Sequence, residues 1–432
     1  MFKTNQAIRR LGRIRTAVQG SGKVLPLAVI LLLFAGPLRP ADVRSFGATG
    51  DGKTKDTAAF QKALDAAAAA GGGDVVVPAG EYLIGSIELK SRTTLRLAKD
   101  AHLIGTPDLE DYPIIKVRWE GRWIDGHRSL IYAKNAHAIA IIGPGKISGN
   151  PALGGRTMPR RPAVIEPIDS TDIRLEDFSL EQKSMWAIHP TYCENFVARR
   201  LTIRTTGGNG DGIDIDSCKH VRIEDSDIDT GDDPIAIKSG RGMEGLLAGR
   251  TTEDVLISNC TLGDSNFAGI GIGSETSGGI RNVRIEHVRF THVKTYAIYI
   301  KTRVGRGAFI EDISAKNLTA SVAPGGFLRL NLLDSGIQDP EPVLGDAGIP
   351  RVRNLSFNNV VVNCGTLVDA RSISPMKPVD GFTLTNVTGS CTAGMTLANI
   401  NAAKVSNIKV SGVTGPLLKT TNVQGTGLKD LQ

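Results

Sequence analysis

The chain contains few cysteines, and none of them has the paired spacing that binds structural metal ions. No two lie three positions apart, so no Cys-x-x-Cys motif is available to hold zinc. An odd number also leaves at least one thiol unpaired in an oxidising compartment. We predict thiols buried in the core, with a Cys364–Cys391 disulfide as the open alternative, and we assign them no chemistry. The five are Cys193, Cys218, Cys260, Cys364 and Cys391.

Acidic residues are absent from the first 40 positions, which carry only basic charges. This segment accounts for the whole formal charge of +7, so the remaining chain has equal numbers of basic and acidic residues. A balanced chain lacks the basic surface that displaces counterions from phosphate, which argues against a nucleic-acid partner. The basic residues of the segment are Lys3, Arg9, Arg10, Arg13, Arg15, Lys23 and Arg39.

No hydrophobic run is long enough to span a bilayer. The apolar stretch 25–36 is far shorter than the roughly 20 residues that a membrane helix needs. Basic residues precede it and a Gly-Pro pair follows, which predicts a secretory signal peptide over residues 1–41, cleaved near Ala35 or Ala41. A membrane anchor is the alternative. We expect a secreted or periplasmic monomer with no stable membrane insertion after leader cleavage.

Aromatic side chains are scarce and glycine is abundant, which suits a narrow core with tight corners. A turn residue followed by alternating apolar and polar residues recurs ten times, at spacings of roughly 24 to 34 residues with longer insertions. The leucine/asparagine pattern of leucine-rich repeats and the aromatic signatures of propellers are missing. The sequence predicts an all-β fold, a single-stranded right-handed parallel β-helix over residues 42–432. The copies begin at Ala138, Asp172, Asn195, His220, Asp254, Asn282, Asp312, Asn354, Gly381 and Asn407.

Residues 56–71 predict a short N-terminal capping helix. Asp56 or Thr57 can cap its start, alanines fill its interior and glycines end it. Phe60 and Leu64 are four residues apart and so share one face, which would cover the first coil of the solenoid. Farther along, residues 335–350 are rich in glycine, proline and aspartate, and we expect them to form a long loop that walls a binding groove.

Carboxylates concentrate in two short segments, 209–216 and 231–240. Asp211, Asp232 and Asp233 lie in apolar, strand-like sequence, where an unpaired charge is costly. Because the segments are about one coil apart, stacking would bring them within one strand spacing, ~4.8 Å. Crowded carboxylates cannot all ionise cheaply, so one of them can keep a proton and act as an acid. Asp214 and Asp216 alternate with isoleucines and belong to the face opposite the core, as solvated or supporting groups.

These residues resemble the polygalacturonase-like glycoside hydrolases, a pectin-degrading, inverting family built on a right-handed β-helix. The similarity extends from about residue 43 to about residue 312 and includes several motifs in the same order. They are residues 46–52, residues 186–190, Asn209 with Asp211, residues 231–233, residues 238–241, residues 273–279 and residues 301–303.

The resemblance implies that Asp232 is the general acid and that Asp211 and Asp233 hold and deprotonate the attacking water. It implies that Asn209 orients this cluster and that Lys301 pairs with a substrate carboxylate. An inverting reaction of this kind is expected to separate the acid and base oxygens by about 6.5–9.5 Å. No cofactor and no metal ion are implied.

The sequence departs from the family pattern at two positions. The histidine of the Gly-His-Gly element falls on Phe267 or the next residue, and the arginine of Arg-x-Lys falls on Tyr299. Tyr299 could offer its hydroxyl or ring to a sugar, His189 lines the groove or caps a turn, and Arg303 or Arg306 could replace the missing arginine. A lysine selects a carboxylate less strictly than an arginine fork, so we expect homogalacturonan to be a poorer substrate than a branched or mixed pectic backbone.

Three classes of function remain. The leading hypothesis is an inverting glycoside hydrolase that cleaves a galacturonan or rhamnogalacturonan-type pectic polysaccharide by carboxylate acid/base catalysis. A calcium-dependent polysaccharide lyase on the same scaffold is the first alternative. The second is a carbohydrate-binding protein that has lost catalysis, for which the missing histidine and arginine are the grounds.

Overall fold

A computed structural model describes residues 40–153, 158–183 and 185–431 of the chain. Residues 1–39 of the predicted leader lie outside the described residues. The described part forms a right-handed parallel β-helix, as predicted, in which strands of successive coils pair in parallel register. The first strand begins at Ala41 and pairs with Val75 on a later coil. No helix among the described residues is long and apolar enough to cross a membrane.

The described elements comprise two α-helices, five 3-10 helices and 31 strands. The helices are α1 (Thr57–Ala69) and α2 (Gly242–Ala248), and the 3-10 helices are Val43–Phe46, Leu109–Asp111, Pro151–Leu153, Asp346–Gly348 and Lys429–Leu431. The strands are β1 (Ala41–Asp42), β2 (Asp51–Lys55), β3 (Gly73–Val77), β4 (Gly80–Ile84), β5 (Ile87–Glu88), β6 (Thr93–Leu97), β7 (Ala101–Gly105), β8 (Ile114–Trp119), β9 (Arg122–His127), β10 (Ile131–Lys134), β11 (His137–Ile142), β12 (Lys146–Ser148), β13 (Ile165–Ile168), β14 (Thr171–Glu176), β15 (Ser179–Lys183), β16 (Glu194–Arg199), β17 (Thr202–Thr206), β18 (Ile213–Asp216), β19 (Lys219–Glu224), β20 (Asp227–Asp229), β21 (Ile235–Lys238), β22 (Thr252–Ser258), β23 (Thr261–Gly263), β24 (Ile270–Ile272), β25 (Ile280–Glu286), β26 (Arg289–Thr291), β27 (Tyr296–Lys301), β28 (Phe309–Asn331), β29 (Arg351–Ser372), β30 (Val379–Ser411) and β31 (Leu418–Thr426).

Nine of the ten predicted repeat copies occupy equivalent positions of one sheet. In that sheet β11, β14, β16, β19, β22 and β25 stack in order and continue into β28, β29 and β30. Each strand contributes an inward apolar residue to a column along the solenoid axis, so each coil buries its core against its neighbours. The column contains Ile139, Ile173, Phe196, Val221, Val255, Val283, Ile313, Leu355 and Phe382.

The tenth predicted copy, at Asn407, is out of register. The Asn407 side-chain amide donates to Asn386 Oδ1 at 2.6 Å, so Asn407 stacks on Asn386. Asn386 lies five residues after Gly381, which starts the copy on the preceding coil. Ala402 has the same spacing to Asn407 and, like the other starting residues, has a positive φ, here 52°. The prediction for Asn407 is wrong because asparagine in the left-handed conformation occurs at more than one corner of a coil, as at Asn386 and Asn407.

Helix α1 covers the first coil, as predicted. Phe60 and Leu64 are fully buried, and the Phe60 ring meets Tyr82 edge-on at 5.4 Å. Asp56 precedes the helix without capping it through its side chain. Its carboxylate instead accepts hydrogen bonds from the backbone N–H groups of Thr49 (2.7 Å) and Gly50 (3.1 Å), and so fixes the turn before the helix.

All five cysteines are buried free thiols, which confirms the expectation of core cysteines. Cys364 and Cys391 occupy paired positions of β29 and β30 but remain free thiols, so the alternative of a disulfide between them is wrong. Burial raises the pKa of the Cys364 thiol to about 12, so this group is unreactive at neutral pH.

The sheet that carries the carboxylate segments is here named the pocket sheet. It comprises β5, β10 and β13, then the bridging residue Ile188, then β18, β21, β24 and β27, and it continues into β28. The antiparallel hairpin of β8 and β9 lies outside the coils. The predicted loop 335–350 connects β28 with β29, and Gly336 and Ile337 of this loop line the main pocket on the pocket sheet.

Replacement of Phe357 tests how much the packing between neighbouring coils contributes to stability. Its ring lies 6.0 Å from that of Phe327 and 6.1 Å from that of Phe382, on the two neighbouring coils. Phe357→Ala should lower the free energy of unfolding by about 3–5 kcal/mol, because it leaves a cavity between two fixed rings. Val361→Ala, on the same strand and 48% exposed, should change it by less than about 0.5 kcal/mol. Chemical denaturation measures the free energy of unfolding of both variants. Equal decreases in the two variants would contradict a core stabilised by the packing of these rings.

Candidate active site

Three aspartates meet on the pocket sheet. Strand β18 pairs with β21 so that Ile213 lies beside Ile235, and Asp211 and Asp233 each precede these residues by two positions. They therefore occupy equivalent turns of neighbouring coils, and Asp232 directly precedes Asp233 in the chain. One carboxylate oxygen from each of the three falls within 4.8 Å of the others. The expectation that the two segments stack on neighbouring coils is confirmed.

The spacing of the carboxylates differs from the expected one. Their nearest oxygens lie within 4.8 Å, which is closer than the separation of about 6.5–9.5 Å expected for an inverting pair. Asp232 and Asp233 are adjacent in sequence and Asp211 is one strand spacing away, so the fold itself enforces this crowding. A water with hydrogen bonds of about 2.8 Å to two oxygens can bridge up to about 5.6 Å, so one water still fits between them.

The three carboxyl groups differ in exposure and in acidity. Asp211 and Asp233 are only 5% and 3% exposed, whereas Asp232 is half-buried and faces the pocket. Burial, reinforced by the charges of Asp214 and Asp232, raises the pKa of Asp211 well above its usual range. Burial, reinforced by the charge of Asp233, also raises the pKa of Asp232. Two of the three groups thus keep their protons to a higher pH than isolated aspartates do.

Two lysines compensate this negative charge. The Lys301 ammonium donates to Asp233 Oδ2 at 2.7 Å, and the Ala268 N–H donates to the other oxygen of Asp233 at 2.9 Å. Lys238 Nζ contacts Asp214 and lies 4.0 Å from Asp211 Oδ2. Burial alone would lower the pKa of each lysine, but the neighbouring carboxylates outweigh it and raise both pKa values.

The same three aspartates have the oxygen spacing of a cation site. A bound cation would have to compete with Lys238 and Lys301, whose ammonium groups already supply positive charge at the cluster. The two ammonium groups therefore offset part of the negative charge that would otherwise attract a cation.

Two backbone features hold the cluster in place. The Asn209 N–H donates to Asp232 Oδ2 at 3.3 Å, so Asn209 orients this carboxylate through its backbone. Gly271 lies under the Asp233–Lys301 pair, and a Cβ built there would be 2.4 Å from Asp233 Oδ2. Only glycine leaves room for that ion pair at this position.

The groups beneath the cluster are buried and do not face the pocket. Asp214 and Asp216 point away from the core, as predicted, yet both are at most 1% exposed, so they are supporting groups and not solvated ones. His189 is 1% exposed, and its Nδ1 lies 2.9 Å from Glu166 Oε1. The structure therefore places His189 under the site, where it contacts a buried carboxylate, and not in the groove wall.

Trp186 packs inside the protein although it borders the pocket. Its ring stacks on Trp119 at 4.8 Å, and His189 approaches it edge-on at 4.6 Å. The Lys238 ammonium lies 4.2 Å from the ring centre. Because these neighbours surround the ring, Trp186 packs inside the protein and contacts Lys238. Its ring does not stack on a sugar.

Tyr299 and Arg303 do not line the pocket. Tyr299 is 5% exposed and packs against Phe267, with ring centres 5.7 Å apart. Phe267, one of the two residues at which the family's histidine could fall, lines the pocket, and its ring centre lies 4.4 Å from Lys301 Nζ. Arg303 donates to the Gly336 carbonyl at 2.5 Å and so supports the loop 335–350. The Arg306 side chain is buried against the same loop, where it pairs with Asp339.

The pocket itself has a volume of about 310 Å³ and includes residues to which the sequence analysis assigned no role. Arg241 and Glu275 follow β21 and β24, and Glu120 reaches the pocket from the tip of the β8–β9 hairpin. Arg241 Nε lies 3.0 Å from Asp339 Oδ1 and its Nη1 lies 3.4 Å from Glu120 Oε2. Arg241 and Glu275 lie inside motifs noted from sequence, whereas nothing in the sequence signalled Glu120.

Comparisons with known proteins agree with this architecture. The family model described as glycosyl hydrolases family 28 matches residues 69–325. A probable polygalacturonase of Vitis vinifera is 33% identical over 89% of this chain and 81% of its own length. The exopolygalacturonase of Thermotoga maritima is similar in structure, with 25% identity, a TM-score of 0.65, and coverage of 90% of this chain and 92% of its own. The Yersinia enterocolitica family 28 exopolygalacturonase shares the fold at 20% identity and a TM-score of 0.75, over 90% of this chain and 78% of its own.

Replacement of Lys301 should reveal its influence on Asp232. The Lys301 ammonium lowers the pKa of Asp232, so Lys301→Met should raise it and keep Asp232 protonated to a higher pH. If Asp232 donates the catalytic proton, the alkaline limb of the kcat/KM profile should then move to higher pH. Lys294→Met, an exposed lysine on the preceding turn, is the control and should leave the profile in place. An alkaline limb that stays fixed in Lys301→Met would contradict this coupling.

Proposed function

The chain belongs to glycosyl hydrolases family 28, and on this basis we propose that it hydrolyses the backbone of a pectic polysaccharide. The proposed backbone is of galacturonan or rhamnogalacturonan type, and the reaction inverts the configuration at the anomeric carbon. It is a glycoside hydrolase, and the alternatives of a lyase or of a binding protein without catalysis are not favoured. The observation that carries the proposal is the convergence of the three aspartates, with one partly exposed carboxyl group beside two buried ones.

Asp232 is assigned as the general acid. It is the most exposed of the three carboxyl groups, so a glycosidic oxygen in the pocket can reach it. Burial raises its pKa, which favours the protonated form that an acid needs. Its proton goes to the glycosidic oxygen as the bond from that oxygen to the anomeric carbon breaks, and the leaving sugar departs as an alcohol.

Asp211 and Asp233 are assigned to the attacking water. Both are buried at the pocket beside Asp232, and their oxygens lie close enough to hold one water between them. As the water oxygen bonds to the anomeric carbon, one of its protons passes to an ionised carboxylate of this pair. The proton gained there balances the proton that Asp232 gave to the leaving sugar. Lys301 holds Asp233 in place and lies at the pocket wall, where it can also meet a polar group of the substrate.

A pectic substrate is supported by the relatives, whose names describe polygalacturonases and exopolygalacturonases. The pocket also limits how strongly a uronic acid can bind. Each of its cations already has an acidic neighbour: Lys301 has Asp233, Lys238 has Asp214 and Arg241 has Asp339. This favours a backbone in which not every sugar bears a carboxylate. Export of the enzyme, its monomeric state and the absence of a nucleic-acid partner stay predictions.

Asp232→Asn should fold normally and lose activity by about 10²–10⁴-fold, because an amide cannot donate the proton. The matched control is Asp227→Asn, an exposed carboxylate on the same coil that pairs with Arg204. Reducing-sugar release from polygalacturonate and from rhamnogalacturonan measures turnover, and circular dichroism checks the fold. Near-normal turnover in Asp232→Asn would refute the assigned acid. Products with a new ultraviolet absorbance would indicate a lyase.

Substrate preference gives a second test. Without an arginine fork for the carboxylate, we expect binding of a uronic acid in the transition state to be weaker by about 1.5–3 kcal/mol. This corresponds to roughly 10- to 160-fold in kcat/KM, so a rhamnogalacturonan-type backbone should be cleaved more efficiently than homogalacturonan. The measurement compares kcat/KM on the two polymers at matched chain length. A strong preference for homogalacturonan would show that the paired cations still serve as carboxylate sites.

A further inference from the structure

A second groove, here named the outer groove, lies on the outer face of the sheet that carries the repeat copies. Its volume is about 830 Å³, compared with about 310 Å³ for the pocket that holds the aspartates. None of the residues assigned to catalysis is among its described lining residues. The groove runs along the solenoid axis across the coils of β16, β19, β22, β25, β28 and β29.

Arginine and aliphatic side chains alternate along the middle of the outer groove. Parallel pairing places Val197 beside Arg222, Arg222 beside Leu256, and Leu256 beside Arg284. Each of these residues lies between two buried residues of its strand and therefore points outward. Arg222 and Arg284 are exposed, whereas Leu256 is half-buried. The two arginines are thus two strand spacings of ~4.8 Å apart, with an aliphatic side chain between them.

The two guanidinium groups are available to bind an anion. Arg222 Nη1 lies 3.3 Å from Glu224 Oε1, but this arginine is 55% exposed, and an ion pair at such a position contributes little. Within the described part of the chain, the Arg284 side chain has no hydrogen-bond or ion-pair partner. The cations of the pocket, in contrast, each have an acidic neighbour. A guanidinium presents paired N–H donors that match a carboxylate, so both arginines suit an acidic sugar.

A row of amide and carboxylate side chains borders the arginines. Asp254 lies on the coil between the two arginines, two positions before Leu256. Its carboxylate accepts from Asn282 at 3.1 Å and lies 3.2 Å from His220 Nδ1. An acidic sugar on this coil would be repelled, whereas the hydroxyl of a neutral sugar can donate to the carboxylate. The row comprises Asn195, His220, Asp254, Asn282, Asp312 and Asn354, each with a positive φ at the corner before its strand.

We propose that the outer groove binds a second stretch of the polysaccharide, outside the pocket, and that it prefers a backbone in which acidic and neutral sugars alternate. A pyranose in an extended chain advances by about one strand spacing, so every second sugar meets an arginine. Arg222 and Arg284 each pair with a uronate, and the neutral sugar between them packs on Leu256 beside Asp254. The inference rests on the proposed function, because a rhamnogalacturonan-type backbone is the pectic polymer with this alternation.

Binding at the outer groove has a consequence for catalysis. A long chain held there stays at the enzyme, which raises the local concentration of its other glycosidic bonds at the pocket. A short oligosaccharide that fills the pocket cannot reach the outer groove at the same time. We therefore expect the groove to lower KM for the polymer and to leave the cleavage of short oligosaccharides unchanged.

Removal of both guanidinium groups tests the outer groove. Arg222→Gln combined with Arg284→Gln, introduced into the slow Asp232→Asn enzyme, should weaken binding of rhamnogalacturonan by about three- to tenfold, measured by calorimetry at low salt. The matched control, Arg96→Gln combined with Arg289→Gln, removes the same charge from exposed positions outside the groove and should bind like its parent. Unchanged binding in the groove variant, or an equal loss in the control, would overturn the inference.

A comparison of polymers tests the alternation. The groove substitutions should weaken binding of rhamnogalacturonan more than binding of homogalacturonan, since successive uronates cannot avoid Asp254. Equal losses for the two polymers would show that the groove accepts any polyanion, and the inferred occupant would then be wrong.

Kinetics of the groove variant, with Asp232 intact, separate this inference from the proposed function. KM for the rhamnogalacturonan polymer should rise, while kcat/KM on its short oligosaccharides should match the wild type. A similar fall in kcat/KM on the oligosaccharides would mean that the arginines act through the pocket, which contradicts a separate groove. Failure of the wild type to cleave either backbone would instead refute the proposed pectic function, and the binding measurements would still decide whether the groove holds the polymer.

Discussion

Parallel register between neighbouring coils decides which side chains meet in this protein. Ile213 pairs with Ile235, and this single alignment brings Asp211 beside Asp233 although they are 22 positions apart. A shift of one residue would turn Asp214 toward the core and an isoleucine toward the pocket, because side chains alternate between faces. The inward column of isoleucine and valine prevents such a shift, so the apolar core fixes the position of the carboxylates.

The same stacking that concentrates the aspartates also creates an electrostatic cost. Two carboxylates at 4.8 Å repel by about 3 kcal/mol at a protein-like dielectric constant near 20. Lys301 and Lys238 offset part of this repulsion from opposite sides of the cluster, and protonation of Asp211 and Asp232 at higher pH than usual offsets more. The proton that a general acid needs is therefore a consequence of crowding that the fold imposes. Gly271 belongs to this arrangement, since any side chain there would displace the Asp233–Lys301 pair.

Elements outside the coils determine how the pocket is reached. The β8–β9 hairpin contacts the pocket sheet through the Arg118–Asp216 pair, and its tip reaches Arg241 and Glu275 at the pocket. Loop 335–350 adds a wall near Lys301, where Asp339 joins Arg306 and Arg241. The insertions thus contact the coils through buried ion pairs and wall the pocket, while the carboxylates to which we assign catalysis come from the regular repeat.

The sequence by itself determined the solenoid, the capping helix, the burial of the cysteines and the proximity of Asp211, Asp232 and Asp233. These features follow from local patterns, namely alternation of apolar residues, a repeated turn residue and a spacing of one coil. It misplaced the Asn407 repeat because two corners use the same asparagine conformation, and it did not signal Glu120 at the hairpin tip. Only the tertiary structure decided that His189, Tyr299 and Trp186 are packed below or behind the pocket. Their exposure depends on what covers them, and the hairpin that covers Trp186 is distant in sequence, so no local pattern could report it.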